Sequence, residues 1–206
     1  MDQSFNNISA ANDELSELDQ IKREKVFNAA KELFSRFGFR KTSVDEIADL
    51  AGISKRTLYQ VFASKEKVLA ELVMYEALSF RHSSLGQIKH MSDPVEKLSC
   101  FCALSAEYFE SNPFLGRVVS DDSHLFSPFL GDELLLVEQG IKDILTRLIS
   151  EGIQKGAFRS MDLAQTVECV FALFRSFTYQ GNWPGKELEG EIPGWVGFIN
   201  HAIATK

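Results

Sequence analysis

Lys55, Arg56, Thr57, Tyr59 and Gln60 place five hydrogen-bonding side chains, two of them cationic, within six residues. Their types suit recognition of a polyanion with readable edges better than they suit turnover. An arginine can hold guanine O6 and N7 with two parallel bonds, worth ~1–3 kcal/mol of discrimination, and threonine or glutamine can reach base edges. A tyrosine hydroxyl or a lysine ammonium can meet phosphate oxygens. Thr42, Ser43 and Lys65 flank this run at two further helix starts, where first-turn amides and the positive end of a helix dipole favour a phosphate. Each residue alone is equally an ordinary exposed polar side chain, so the elements that carry them decide the reading.

Those elements are short helices with explicit boundaries. Ser43 with Glu46 three positions on is a capping box, in which each side chain satisfies an amide the helix leaves open. Ile47, Ala48 and Ala51 then face inward, and the small Ala48 allows close approach of a neighbour. Gly52 turns the chain and Ser54 caps the next helix, where Leu58, Val61 and Phe62 pack. The basic and polar residues face outward. Two short helices joined by a sharp turn, the second opening on cations, form a helix-turn-helix, whose second helix enters the DNA major groove. A helix from about Asp19 to Phe37 precedes them, with Val26, Ala30, Leu33 and Phe37 on one stripe and Gly38 at its end. Ser64 caps a fourth helix running toward residue 90.

Charge distribution agrees with this placement. The chain has net charge −7, yet residues 22–67 hold 11 Lys/Arg against 6 Asp/Glu, while residues 1–21 hold 5 acids and no base. A basic patch on an acidic protein is the footprint of a local polyanion contact.

The residues Ala29, Leu33, Phe34, Phe37-Gly38-Phe39, Thr42, Ile47-Ala48, Ala51-Gly52-Ile53-Ser54, Thr57-Leu58-Tyr59, Phe62 and Ser64-Lys65-Glu66 resemble the TetR family of transcriptional regulators. A weaker likeness is Glu151 to Phe158, similar to the end of that family's seventh helix. Gln60-Val61 departs mildly from the family's usual residues and leaves the operator sequence open. The resemblance implies an N-terminal three-helix DNA-binding domain joined by a long helix to a larger helical domain for ligand binding and dimerisation. It implies a homodimer on double-stranded operator DNA.

The rest of the chain reads as helix throughout, so the fold class is all-α. Asp93-Pro94 starts a helix, Asn112-Pro113 a short piece, and residues 121–131 read as irregular. Leu134 to Leu148 marks a long amphipathic helix, Asp162 to Tyr179 another, residues 181–194 a loop, and Trp195 to Ala204 a last helix. The expected organisation is a flexible arm over 1–18, a DNA-binding domain over 19–66 and an effector-binding and dimerisation domain over 67–206.

Eleven of the 17 phenylalanines lie beyond residue 67. Phe101, Phe109, Phe114, Phe126, Phe129 and Phe171 fall on elements that could line an apolar cavity, the usual small-molecule site. For any one ring core packing is the favoured reading; the excess points to an apolar or aromatic effector, or an acyl chain. Tyr108, His124 and Arg175 are its polar candidates. Arg175 interrupts Phe171, Phe174 and Phe177, so it either pairs with an acid at an interface or meets an anionic ligand. The last two helices carry apolar residues on more than one face, enough to close a core and meet a second subunit.

Several classes are disfavoured. No stretch approaches the ~20 apolar residues of a membrane span, and the first 20 residues lack a secretory layout. Three cysteines do not make a disulfide framework. The four histidines have no metal-ligand spacing, and no cofactor or catalytic motif is present. The reading is a cytoplasmic repressor released from a palindromic operator by a small apolar or aromatic effector. The alternative is a helix-turn-helix activator, or a nucleoid or division factor, without a small ligand.

Overall fold

The computed structural model describes residues 17–119, 126–179 and 194–205. It divides into two compact units, 1–72 and 73–206. Nine α-helices are described: α1 (Glu17–Phe37), α2 (Val44–Ala51), α3 (Lys55–Val61), α4 (Lys65–Ile88), α5 (Pro94–Ser111), α6 (Pro113–Val119), α7 (Glu133–Gln154), α8 (Leu163–Tyr179) and α9 (Gly194–Ile203). A 3₁₀ turn, Ser127–Phe129, lies within the stretch expected to be irregular. The arm expected over 1–18 lies outside the described residues except for Glu17 and Leu18, which are already helical. The loop expected over 181–194 lies outside them too, except Gly194, where α9 begins.

In the first unit, α1 to α3 pack around Val26, Ala30, Phe34, Ile47, Leu58 and Phe62, all essentially without solvent exposure. The α1 stripe is slightly rotated from its expected course. Phe37 is exposed, and Phe39 beyond the turn takes the inward position against Phe34 at 5.5 Å. The capping box of α2 is complete: the Glu46 amide donates to Ser43 Oγ, and the Ser43 amide donates to Glu46 Oε2 at 2.7 Å. Gly52 ends α2 at φ 66°, a left-handed conformation that side chains resist, and the Ile53 amide closes back onto Ala48 O. Ser54 Oγ then accepts the Thr57 amide and starts α3. Four short-range devices therefore set the angle between α2 and α3.

The second unit is built on rings. Phe101 stacks on Phe174 at 6.3 Å, Phe174 meets Phe171 and Trp195, and Phe80 lies 4.8 Å from Tyr108. Asp93 caps α5 with Pro94 in its first turn, as its spacing predicts. After α7, the Phe158 ring lies flat against Gly152. A methyl group added at Gly152 would fall about 2.0 Å from a ring carbon, so only glycine fits. The chain then pairs Phe158 with Ala204 in an isolated antiparallel bridge, which fastens the end of α9 to the end of α7. That long-range pairing has no signature in the sequence.

Candidate nucleic-acid interface

α3 presents the first site. Lys55, Arg56, Tyr59 and Gln60 are exposed, and Thr57 is half-buried, while Leu58 anchors the helix at zero exposure. With 3.6 residues per turn, anchoring at Leu58 turns the flanking positions outward. Tyr59 keeps nearly half its surface in solvent. Thr57 Oγ1 lies 2.8 Å from Ser54 Oγ, so its hydroxyl is shared with the cap.

The flanking residues behave differently from one another. Ser43 is exposed at the start of α2, with its hydroxyl engaged by Glu46. The Ser43 amide, then the Ser43 hydroxyl, hold the Glu46 carboxyl below its ordinary range. Thr42 requires a correction: its side chain is buried, and its hydroxyl donates to Gly38 O at 2.9 Å, bracing the turn after α1. Lys65 is drawn inward as well. Its ammonium donates to Phe39 O at 2.9 Å and Thr42 O at 2.8 Å, and sits 4.3 Å from the centre of the Phe39 ring. Both residues fix the turn that aims α2 rather than face solvent.

Lys55 has a partner the sequence reading did not single out. Its ammonium bridges both carboxylate oxygens of Asp45, at 2.8 and 3.0 Å, and this bond raises the lysine's affinity for its proton. Asp45 sits in the first turn of α2, ten positions earlier; the bend at Gly52 brings the two together.

In the second unit, the residues proposed to line a cavity are placed mostly as core. Phe101, Phe114 and Phe126 have no exposure, Phe109 and Phe171 almost none, and Phe129 is intermediate. Phe114 meets Phe126 edge-on at 5.9 Å. Tyr108 donates its hydroxyl to Glu76 Oε2 at 2.9 Å, and Asn112 donates its amide to the same oxygen. Burial first, and the Glu76 charge second, push the Tyr108 phenol well above its ordinary range. Sequence reasoning missed Glu76 and Asn112. Glu76 is one of several carboxylates on a long helix, and only its inward position separates it from the rest. Arg175 is exposed and lies 3.6 Å from Glu138 of α7 in the same chain. His124 lies outside the described residues. An open groove of about 400 Å³ runs between α8 and α9, lined by Met161, Cys169, Leu173, Phe198 and Ile199 among others. Among the described residues no cluster of three His, Cys, Asp or Glu could hold a metal ion, and no helix is long and apolar enough to cross a membrane.

Comparison with known proteins meets this geometry at both levels. Residues 26–72 match the family model of bacterial regulatory proteins, tetR family. The HTH-type transcriptional regulator RutR of Escherichia coli K12 is 27% identical over 151 residues, covering 73% of this chain and 71% of that protein. The HTH-type transcriptional repressor KstR2 of Mycolicibacterium smegmatis is 29% identical over 180 residues, covering 84% and 85%. Among solved structures, the transcriptional regulator FadR of Bacillus subtilis in complex with stearoyl-CoA superposes with a TM-score of 0.71 at 20% identity, covering 86% of this chain and 95% of that one. The structural likeness speaks for the fold alone, and the sequence matches speak for the DNA-binding unit and its role. A capped helix-turn-helix that matches the family's model, on a chain aligned over most of its length with named regulators, has one reading: residues 26–72 are a DNA-binding unit of the TetR family, and the chain is a DNA-binding transcriptional regulator.

Proposed function

We propose that the chain is a repressor that binds a near-palindromic operator as a homodimer and releases it when a small acyl or aromatic effector occupies the second unit. The observation that carries the reading is α3, whose Arg56, Tyr59 and Gln60 stand exposed beside Lys55 on a helix anchored by Leu58. In this proposal residues 19–66 form the DNA-binding domain. Arg56 and Gln60 read base edges, Lys55, Thr57 and Tyr59 contact bases or backbone, and Ser43 brings the start of α2 to a phosphate. Thr42 and Lys65 hold these elements in register. Residues 67–206 form the effector and dimer domain, and the protein works in the cytoplasm, where its DNA is.

Repression is supported by the name of KstR2, and an acyl effector by the stearoyl-CoA bound to FadR. Dimerisation is supported by the apolar groove between α8 and α9, with Phe198 64% exposed beside it. In such a dimer the two α3 helices sit about one DNA turn apart, ~34–36 Å. A second reading, regulation without a small effector, is favoured by one observation: Phe101, Phe114 and Phe126 already fill their surroundings.

Genomic fragments retained by the protein, followed by footprinting, would define the operator. Calorimetry with long- and short-chain acyl-coenzyme A and aromatic acids would follow, with and without operator. A 100-fold loss of operator affinity requires about 2.7 kcal/mol of coupling, and operator must then weaken effector binding equally. A protected inverted repeat and reciprocal weakening are the expected results. No retained sequence would overturn the reading, and an operator indifferent to every ligand would select the second one.

A further inference from the structure

The Asp45–Lys55 pair joins the starts of α2 and α3, beside the proposed DNA-facing residues, and does little for the fold. Both side chains are more than half exposed, at 62% and 54%, and an ion pair so open to water adds little stability. The capping of α2 is carried by Ser43 and Glu46, so Asp45 is not its cap. Lys55 is the first residue of α3, and its ammonium is held by both oxygens of a carboxylate on the neighbouring helix.

Resting on the proposed DNA-binding reading, we propose that Asp45 is a specificity-determining residue that restrains Lys55 and lowers the protein's affinity for arbitrary DNA. Non-specific affinity comes almost entirely from cations that neutralise phosphates and release counterions. A lysine already paired with Asp45 contributes to that only after the pair opens. Opening it leaves a carboxylate beside the phosphate chain, where like charges repel. Any duplex meets this cost. A cognate site can offset it, because the major groove offers base-edge donors such as the cytosine amine that a carboxylate can accept. Asp45 therefore weakens binding everywhere and least at sites that match α3.

The test uses the full chain and a random-sequence duplex of about 30 base pairs, long enough for both half-sites of a one-turn dimer. Affinity is measured against salt for the wild type, Asp45→Asn, Lys55→Met and the double variant, with thermal midpoints as a folding control. Asp45→Ala is a second variant without hydrogen-bonding capacity. Each neutralised phosphate steepens the logarithmic salt dependence by about 0.9, so Asp45→Asn and Asp45→Ala are expected to steepen it by roughly one contact. At low salt the same variants should bind the duplex ~3–10-fold more tightly. In the Lys55→Met background the gain should vanish. Unchanged affinity and slope in both Asp45 variants would overturn the proposal. So would a gain that persists without Lys55, since Asp45 would then act only through net charge. A wild type with no salt-dependent duplex binding at all would instead remove the DNA-binding reading, and this inference with it.

Discussion

The two units solve opposite problems. The first packs its short helices around Phe34, Phe39 and Phe62 and leaves Lys55, Arg56, Tyr59 and Gln60 in water. The second buries most of its described rings and leaves Phe198 exposed beside an open groove. In the first unit position is set by caps and two left-handed glycines, Gly38 and Gly52, all within a few residues of the side chains they aim. In the second, Phe101, Phe174 and Trp195 come from three helices and locate one another only by packing. Loss of one group should therefore be local in the first unit and should spread in the second.

Phe174→Ala tests this difference with the largest expected effect. The ring is fully buried and meets Phe101, Phe171 and Trp195, so its removal should cost ~3–5 kcal/mol of stability. Denaturant unfolding would report it. A loss below about 1 kcal/mol would mean the site collapses easily and that this core is far looser than its burial implies.

Arg56→Ala should do the reverse. Operator affinity should fall by ~1–3 kcal/mol with relaxed preference at one base position, and the thermal midpoint should not move. Tyr59→Phe should weaken all sequences about equally if its hydroxyl meets a phosphate. Binding competition across single-base operator variants separates the two. A midpoint that drops with Arg56→Ala would show that the exposed face of α3 also supports the fold.

The smallest effect is expected at the cap. Ser43→Ala should cost ~0.5–2 kcal/mol, read by thermal unfolding at neutral pH. Glu46 adds a pH signature whose sign is fixed. Its carboxyl is held below its ordinary value of 4.5 in the folded chain, so its contribution is complete above that value. It is lost as pH falls through the depressed folded value. Because the Ser43 amide is the leading cause and the hydroxyl the second, Ser43→Ala should raise the Glu46 titration midpoint part of the way back. Carbon-detected NMR titration would measure it; an unmoved midpoint would leave the backbone amide as the sole cause.

What could be read in advance follows the same division. Ser43, Glu46, Gly52 and Ser54 act on atoms three or four residues away, so a string of letters contains both partners of each interaction. The start of α5 at Asp93-Pro94 was legible for the same reason, and the all-α class followed from helical periodicity. The roles of Thr42 and Lys65 were not legible. Each is a polar residue in a basic stretch, and only the closing of α4 onto the turn after α1 brings Lys65 to the Phe39 and Thr42 carbonyls. Asp45 beside Lys55 depends on the bend at Gly52, and Glu76 beneath Tyr108 depends on which face of a long helix turns inward. The phenylalanine excess was visible as composition, but whether rings fill a space or line it is a matter of packing among helices far apart in sequence. Local hydrogen bonds and periodicity are encoded residue by residue. Partners across helices exist only once the chain has closed, because their separation is a property of the packed fold.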